Sequence, residues 1–131
     1  MILDKTLLDK ISAQAKVSPR LRMNFNLHES LDSNVQRLFN AMEPGTIVPI
    51  QRHQNTAETM MLVRGKMKVF FHNPEGDIID TFILSPKDCI YGVHIPVGQW
   101  HSVEVLESGT VMFEVKEGPY SPLSKEDIIE R

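Results

Sequence analysis

The spacing of apolar residues changes three times in the first part of the chain. Over residues 4–15 they recur three and four positions apart behind Asp4, a residue suited to capping, which predicts a short amphipathic helix. Over residues 21–27 apolar and polar residues alternate, which predicts a strand. From 32 to 42 the spacing of three and four returns, which predicts a second helix ended by Pro44 and the glycine after it.

From residue 46 onward no helical period remains, and turn-forming residues separate short segments of strand character. We predict strands near residues 46–53, 58–64, 66–72, 78–84, 89–95, 101–106 and 110–116. This many short antiparallel strands can close into a small double-sheet roll, which leaves few exposed edges. We therefore expect a mainly β protein with short N-terminal helices.

The length of 131 residues, of which 41% are hydrophobic, suits a single domain that buries its own core. We expect residues 1–131 to form this one domain, with 44–118 as the β-roll core and 1–43 as an extension packed on it.

Charge and composition exclude several classes of partner. A formal net charge of -3 gives no general attraction for nucleic acid or for an anionic membrane surface. No apolar run approaches the roughly 20 residues that a membrane-spanning helix requires. The single cysteine, Cys89, cannot form an internal disulfide, and the N-terminus has no secretory signal pattern. A cytoplasmic protein is expected.

Two segments carry the residues best suited to bind a metal ion. In a strand, alternate side chains share a face, so Gln51 and His53 point together, and Glu58 can return to the same space from the next strand. The second segment ends in His101. Imidazole and carboxylate are common ligands of divalent transition metals, so these side chains predict a metal site divided between two hairpins.

The spacing in these segments resembles that of the two cupin motifs. His53, Glu58 and Gly65 follow the order H, E, six residues, G of the first motif, and residues 96–101 read P-x-G-x-x-H as in the second. Residues 20–28, 44–46, 57–59, 63–66 and 113–120 resemble the WbuC family of cupin-fold metalloproteins. That family occurs in bacterial gene clusters for O-antigen and related surface polysaccharides, and its reaction is not established.

The resemblance implies a cupin-type double-stranded β-helix, or jelly roll, with a divalent metal such as zinc, iron, nickel or manganese. His53, Glu58 and His101 match the family's ligands, but Gln51 stands where the family has a further histidine. An amide oxygen is a weaker, neutral ligand than imidazole, so we expect weaker metal binding or a different metal. His94 stands where the family tends to carry an acidic residue, and it is the alternative source of a third nitrogen ligand.

Other candidate residues have a structural explanation of equal or greater weight. Glu114 is a candidate catalytic acid or base of the pocket, and the alternative is a solvent-facing residue of a strand. Arg64 is a candidate for binding an anionic substrate group, and the alternative is a surface position. Tyr91 and Trp100 are candidates for stacking on a sugar ring, and the alternative is a position in the core. His72 is assigned to a solvated hairpin tip.

Two functions remain open from the sequence. One is a metal-dependent enzyme acting on a small, sugar-derived metabolite in surface-polysaccharide synthesis, by isomerisation or epimerisation, hydrolysis or oxygen chemistry. The other is a non-catalytic sugar- or metabolite-binding module with weakened metal binding, which Gln51 favours. We expect either protein to be a homodimer.

Overall fold

Two five-stranded antiparallel sheets and one α-helix make up residues 1–130, the part of the chain that the computed structural model describes. The helix, α1, spans Lys5–Val17. The strands are β1 (Arg22–Asn26), β2 (Val35–Met42), β3 (Ile50–Gln51), β4 (Glu58–Arg64), β5 (Met67–His72), β6 (Ile78–Leu84), β7 (Gly92–Ile95), β8 (Trp100–Val105), β9 (Thr110–Glu117) and β10 (Ile128–Ile129). Single turns of 3-10 helix lie at Pro86–Asp88 and Lys125–Asp127.

The first sheet has the strand order β1-β2-β9-β4-β7 and the second the order β10-β3-β8-β5-β6. The main apolar core lies between them and includes Met60 and Met112 from the first sheet and Met67 and Val69 from the second. The predicted mainly β double-sheet roll is therefore confirmed. No helix within residues 1–130 has the length and apolar character needed to span a membrane.

Helix α1 covers the outer face of the first sheet and confirms the first predicted helix. The Asp4 carboxylate accepts a hydrogen bond from the Leu7 amide at 3.1 Å and so caps the N-terminus. Ile11 and Ala15 are buried, and they belong to a second apolar cluster with Phe39 and other residues of β1, β2 and β9. The helix is amphipathic because this one face is packed against the sheet.

The second predicted helix is wrong, because residues 35–42 form the strand β2. Phe39 and Ala41 face α1, whereas Met42 belongs to the core between the two sheets. Both faces of β2 are thus partly apolar, which hides the alternation that normally marks a strand. Only one helix precedes the roll, where short helices were expected.

Most of the later strands follow the prediction, and two of them, β4 and β6, have the predicted bounds. The strand expected at 46–53 shortens to the two residues of β3, and β10 was not predicted. Gly65, the last residue of the first motif, has φ +97 and lies against Thr110, with which a β-carbon would collide. A glycine is required there because other residues rarely adopt this conformation.

The segment after β9 crosses from one sheet to the other. The amides of Gly118 and Tyr120 donate to carbonyl oxygens of residues 34 and 31, each at 2.7 Å. Farther along, β10 pairs with β3, and Asp127 accepts hydrogen bonds from Arg52 at 3.1 Å and Gln54 at 2.6 Å. The segment is therefore fixed at both ends beside the cavity described below.

Candidate metal and ligand site

A cavity of about 270 Å³ opens between the two sheets and holds the strongest candidate metal cluster. His53 follows β3, Glu58 begins β4, and His101 lies in β8. One ligand atom from each of the three lies within 4.8 Å of the others. The two predicted motifs thus meet in one place, although they are about 40 residues apart in sequence.

The atoms of this cluster are in close ionic contact. Glu58 Oε1 forms an ion pair with His101 Nε2 at 2.9 Å and lies 3.5 Å from His53 Nε2. Apart from this contact, the two buried atoms of the pair have no hydrogen-bond partner within residues 1–130. Buried polar atoms normally have a partner, so this arrangement fits a shared divalent cation.

The environment of each histidine bears on its ability to bind a metal. His101 Nδ1 lies 2.9 Å from the Gln99 carbonyl oxygen, to which it can donate, and this leaves Nε2 directed into the cluster. Burial lowers the pKa of His53, so its imidazole is neutral near pH 7 and free to coordinate.

The charge of Glu58 is tied to the two histidines. Burial alone would raise the pKa of Glu58, but His101, His53 and Lys116 bring it below its ordinary value. Burial would likewise lower the pKa of His101, but the Glu58 carboxylate outweighs this and raises it. Glu58 is therefore ionised near neutral pH, as a metal ligand must be, whereas His101 has to release a proton to bind.

The two residues considered for completing the ligand set lie in different places. Gln51 lines the cavity, and it pairs with His101 between β3 and β8. His94 pairs with Thr59 on β7 and β4, one position out of phase with Glu58, and its side chain is exposed. Its Nδ1 lies 3.1 Å from Thr59 Oγ1. The structure therefore places His94 on the opposite face of the sheet from the cluster.

Glu114 lies in the cavity wall, on the same face of the first sheet as Glu58. Burial is the main cause that raises the pKa of Glu114 to about 7, and the nearby Glu58 charge adds to it. A carboxyl group with such a pKa can either donate or accept a proton near neutral pH. This arrangement is consistent with the predicted acid or base, which stays a prediction.

None of the three side chains predicted to contact a substrate lines the cavity. Arg64 donates to Asp9, Ser12 and the Gly109 carbonyl at 2.7 to 3.0 Å, and so ties α1 to the sheet. Tyr91 is exposed, outside the cavity. Trp100 is buried on the opposite face of β8 from His101, with the Arg52 guanidinium 4.7 Å from its ring centre.

His72 also differs from the prediction, because it is buried rather than solvated. Its Nδ1 lies 3.0 Å from the Gly76 carbonyl oxygen, and its Nε2 lies 2.7 Å from Ser102 Oγ. One ring nitrogen is held by the turn between β5 and β6 and the other by β8, which gives His72 a structural role.

The basic side chains of the cavity were not predicted from the sequence. Arg22 and Asn24 of β1 and Lys116 of β9 line it, with Arg20 just before β1. The alternation in β1 was recognised, but its polar residues were not assigned to a cavity. The alternation in β1 is the signal that could have identified them. Met23 and Phe25 face α1, so the polar residues that alternate with them must face the opposite sheet.

A smaller cavity of about 160 Å³ adjoins the main one and shares Asn24, Glu58, Glu114, Lys116 and Tyr120 with its wall. The buried His28 lies in this second cavity. Its Nδ1 accepts a hydrogen bond from the Arg37 amide at 3.1 Å, whereas its Nε2 has no partner within residues 1–130. The continuous space therefore extends from the metal cluster to β1 and β2.

Solved structures of cupin type share this fold. KdgF from Halomonas sp. matches 80% of the chain and 85% of its own with a TM-score of 0.62 at 15% identity. The cupin domain of Cnp3 from Schizosaccharomyces pombe matches 73% of the chain and 64% of its own with a TM-score of 0.59 at 12% identity. The capsular polysaccharide assembling protein CapF from Staphylococcus aureus has a TM-score of 0.65 at 24% identity over 81% of the chain, but only 28% of its own. The protein is therefore a cupin by fold.

Sequence comparison also identifies the family of the chain. Residues 3–84, more than half of the chain, match the family described as Domain of unknown function (DUF6016), and the chain belongs to that family. None of the curated proteins matches it in sequence.

Proposed function

We propose that this protein is a metal-binding cupin of the WbuC type that acts on a small, sugar-derived metabolite in the synthesis of bacterial surface polysaccharide. His53, Glu58 and His101 bind the metal, with Gln51 as a weak fourth ligand. The ion is zinc, iron, nickel or manganese, all of which accept this ligand set.

The observation that carries this proposal is the buried cluster itself. Glu58 Oε1 and His101 Nε2 meet in the cluster, and within residues 1–130 they have no hydrogen-bond partner outside it. Burying a carboxylate costs free energy unless it is compensated, and a divalent cation would compensate it.

A bound metal would supply Lewis-acid polarisation of a substrate oxygen. The chain's own residues would position the substrate in the cavity, and Glu114 would donate or accept a proton there. Isomerisation, epimerisation, hydrolysis and oxygen chemistry each use such a set. The resemblance to WbuC supports the biosynthetic context, and the name of CapF, a capsular polysaccharide assembling protein, is consistent with it.

The proposal is tested by the metal content of protein purified without chelator, measured by mass spectrometry of the released ions. We expect close to one equivalent of a divalent transition metal, and its loss in His101→Ala. His94→Ala is the matched control, because His94 is an exposed histidine outside the cluster, and it should retain the metal. Protein with no metal and no rebinding on titration would contradict the proposal.

The alternative is a non-catalytic sugar- or metabolite-binding module, which the neutral Gln51 in the cavity wall favours. Such a module would bind ligand with the metal removed as well as with it present. A chelated protein that still binds its sugar ligand unchanged would favour this alternative.

We also propose that the chain forms a homodimer in the cytoplasm. Met61 and Val63 are exposed on the outer face of β4, at 43% and 45% of their surface, and such apolar residues suit an interface between copies. Sedimentation at micromolar concentration tests the assembly, and a monomer would contradict it.

A further inference from the structure

We infer that the cavity binds an acidic sugar derivative, whose phosphate or carboxylate group is held by Arg22 while its hydroxyl groups face Lys116 and the metal cluster. This inference rests on the proposed function, because it takes the metal cluster and the sugar-derived substrate as given. It adds the charge of the substrate and the residues that select it.

The unpaired polar atoms of the protein identify the space as a ligand site. Within residues 1–130, four buried side-chain atoms have no hydrogen-bond partner: His28 Nε2, Asn40 Oδ1, Glu58 Oε1 and His101 Nε2. All four residues line the main cavity or the smaller one that adjoins it. Buried polar groups rarely lack a partner. The metal would take Glu58 Oε1 and His101 Nε2, and a polar ligand with several hydroxyl groups would satisfy His28 Nε2 and Asn40 Oδ1.

Two basic side chains of the cavity, Arg22 and Lys116, are available to a ligand. Neither Arg22 nor Lys116 forms an ion pair within 4.0 Å in the described part of the chain, and neither side chain donates a hydrogen bond there. Arg64 provides the contrast, since its guanidinium makes three hydrogen bonds that join α1 to the sheet. Each of the three side-chain nitrogens of Arg64 is therefore paired, whereas Arg22 faces the cavity with no paired donor in the described part of the chain.

The positions of the two cations relative to the cluster suit one small molecule. Lys116 of β9 lies opposite Glu58 of β4 in the sheet, so the cation is directly beside the metal cluster. Arg22 lies on β1, two strands farther across the same sheet, beyond β2. Neighbouring strands are about 4.8 Å apart and successive residues of a strand about 3.3 Å. The pairing places Arg22 level with Met42 and Thr110, which is six residues along β9 from Lys116. Arg22 therefore lies at the end of the cavity away from the cluster, and a ligand between the two cations would meet them at its two ends.

The charge of the cavity differs in sign from that of the whole molecule. The chain carries a formal charge of -3. The main cavity has three basic residues, Arg20, Arg22 and Lys116, against the two acidic residues Glu58 and Glu114. Its wall is thus net positive even with both carboxylates ionised, and a divalent ion would add to this. Arginine and lysine in such a site are typical of phosphate and carboxylate recognition.

The test is a titration of isotopically labelled protein, followed by NMR signals of the arginine side chains and the backbone. The probes are inorganic phosphate, D-glucuronate and the neutral D-glucose, each added to zinc-loaded and to chelator-treated protein. We expect saturable shifts at Arg22 and Lys116 with the anionic probes in the chelated protein as well. D-Glucuronate should bind more weakly there than in the zinc-loaded protein, because its hydroxyl groups lose the metal. D-Glucose should bind at least tenfold more weakly than the better anion.

Two pairs of variants make the test specific. Arg22→Gln should weaken anion binding about tenfold or more, because a hydrogen bond between charged partners is lost. Lys116→Gln should weaken it less, because it removes only positive charge beside the cluster. Arg37→Gln and Lys68→Gln are the matched controls on outward-facing strand positions, and they should leave the affinity unchanged. If one cavity variant does not fold, the other still decides.

The outcomes separate this inference from the proposed function. Binding that is equal for D-glucose and the anions, or unaffected by both cavity variants, would overturn the inference while leaving the metal site intact. Absence of saturation with every probe would also overturn it. Stronger binding of phosphate or of D-glucuronate identifies the anionic group. Charge-dependent binding in a protein that never takes up metal would support the anion site and contradict the proposed metal function.

Discussion

The two faces of the first sheet come from the same strands but have opposite characters. On the outer face, the tilted rings of Phe39 of β2 and Phe113 of β9 pack with their centres 5.1 Å apart under α1. On the inner face, the next residues in those strands, Asn40 and Glu114, line the cavity. Alternation along a strand thus lets one sheet build a dry contact on one side and a polar site on the other. The comparison predicts that substitutions on the two faces have separable effects.

The largest effect is expected from the outer face. Phe39 is 4% exposed and packs in the cluster beneath α1. Phe39→Ala should lower the free energy of unfolding by about 3–5 kcal/mol, because it removes a buried aromatic ring and leaves a void. Urea denaturation measures the change, and metal content of the folded protein should stay the same. Loss of metal at unchanged stability would show that the two faces are not independent.

The next effect comes from Glu114 on the inner face and depends on pH. The pKa of Glu114 rises to about 7 on folding, from 4.5 in the unfolded chain. Between these values the unfolded state has lost a proton that the folded state keeps, so stability should fall as pH rises from 4.5 to 7. Glu114→Gln should remove this loss, which is on the order of 2 kcal/mol, since cavity water screens part of the charge.

The check is chemical denaturation of chelator-treated wild type and Glu114→Gln at pH 5 and pH 8. The variant should gain more stability at pH 8 than at pH 5. The outer-face variant Thr59→Ser serves as the control, with no such pH dependence. An equal gain at both pH values would exclude Glu114 as the cause.

A smaller effect should follow from restoring an imidazole at Gln51. Gln51 lines the cavity and pairs with His101. Gln51→His should strengthen zinc binding about tenfold, because a nitrogen ligand replaces a weaker amide oxygen. Competition with a chromophoric chelator measures the change. Unchanged affinity would show that position 51 does not reach the ion.

The smallest effect is expected at His94 on the outer face. The residue is exposed, and its ring lies 3.1 Å from Thr59 Oγ1. His94→Ala should change the free energy of unfolding by less than about 0.5 kcal/mol, as surface substitutions usually do, and zinc affinity should stay as in the wild type. A marked loss of zinc affinity in this variant would require His94 to turn toward the cluster.

The fold was largely predictable from local patterns. The capped α1, the alternation of β1 and the strands between turn residues followed from residue spacing, because each depends on neighbours in sequence. β2 did not, because its two faces pack against different apolar layers. The strand β10 was missed because its pairing with β3 joins residues more than 70 positions apart. The division into an extension at 1–43 and a roll at 44–118 stays a prediction.

The candidate site was predictable only in part. Fixed motif spacing identified His53, Glu58 and His101, which the structure brings within 4.8 Å of one another. Motif spacing could not assign His94 to a face of the sheet. The turn between His94 and His101 resets the alternation of side chains, so the number of residues between them does not show whether they point to the same face. Arg64 was a candidate for substrate binding and Arg22 was not, and both outcomes have the same cause. Two arginines on strands look alike in sequence, and only packing determines which is paired with α1 and which faces the cavity.

The sequence by itself determined most of the strands and the spacing of the metal-binding motifs, since these depend on local conformation and side-chain chemistry. The tertiary structure decided which face of each strand meets the cavity. It decided that Gln51 lies in the cavity wall while His94 does not, and that basic residues stand beside the cluster. The physical reason is that a site between two sheets is assembled from strands distant in sequence, whose register and packing fix the side chains that share it.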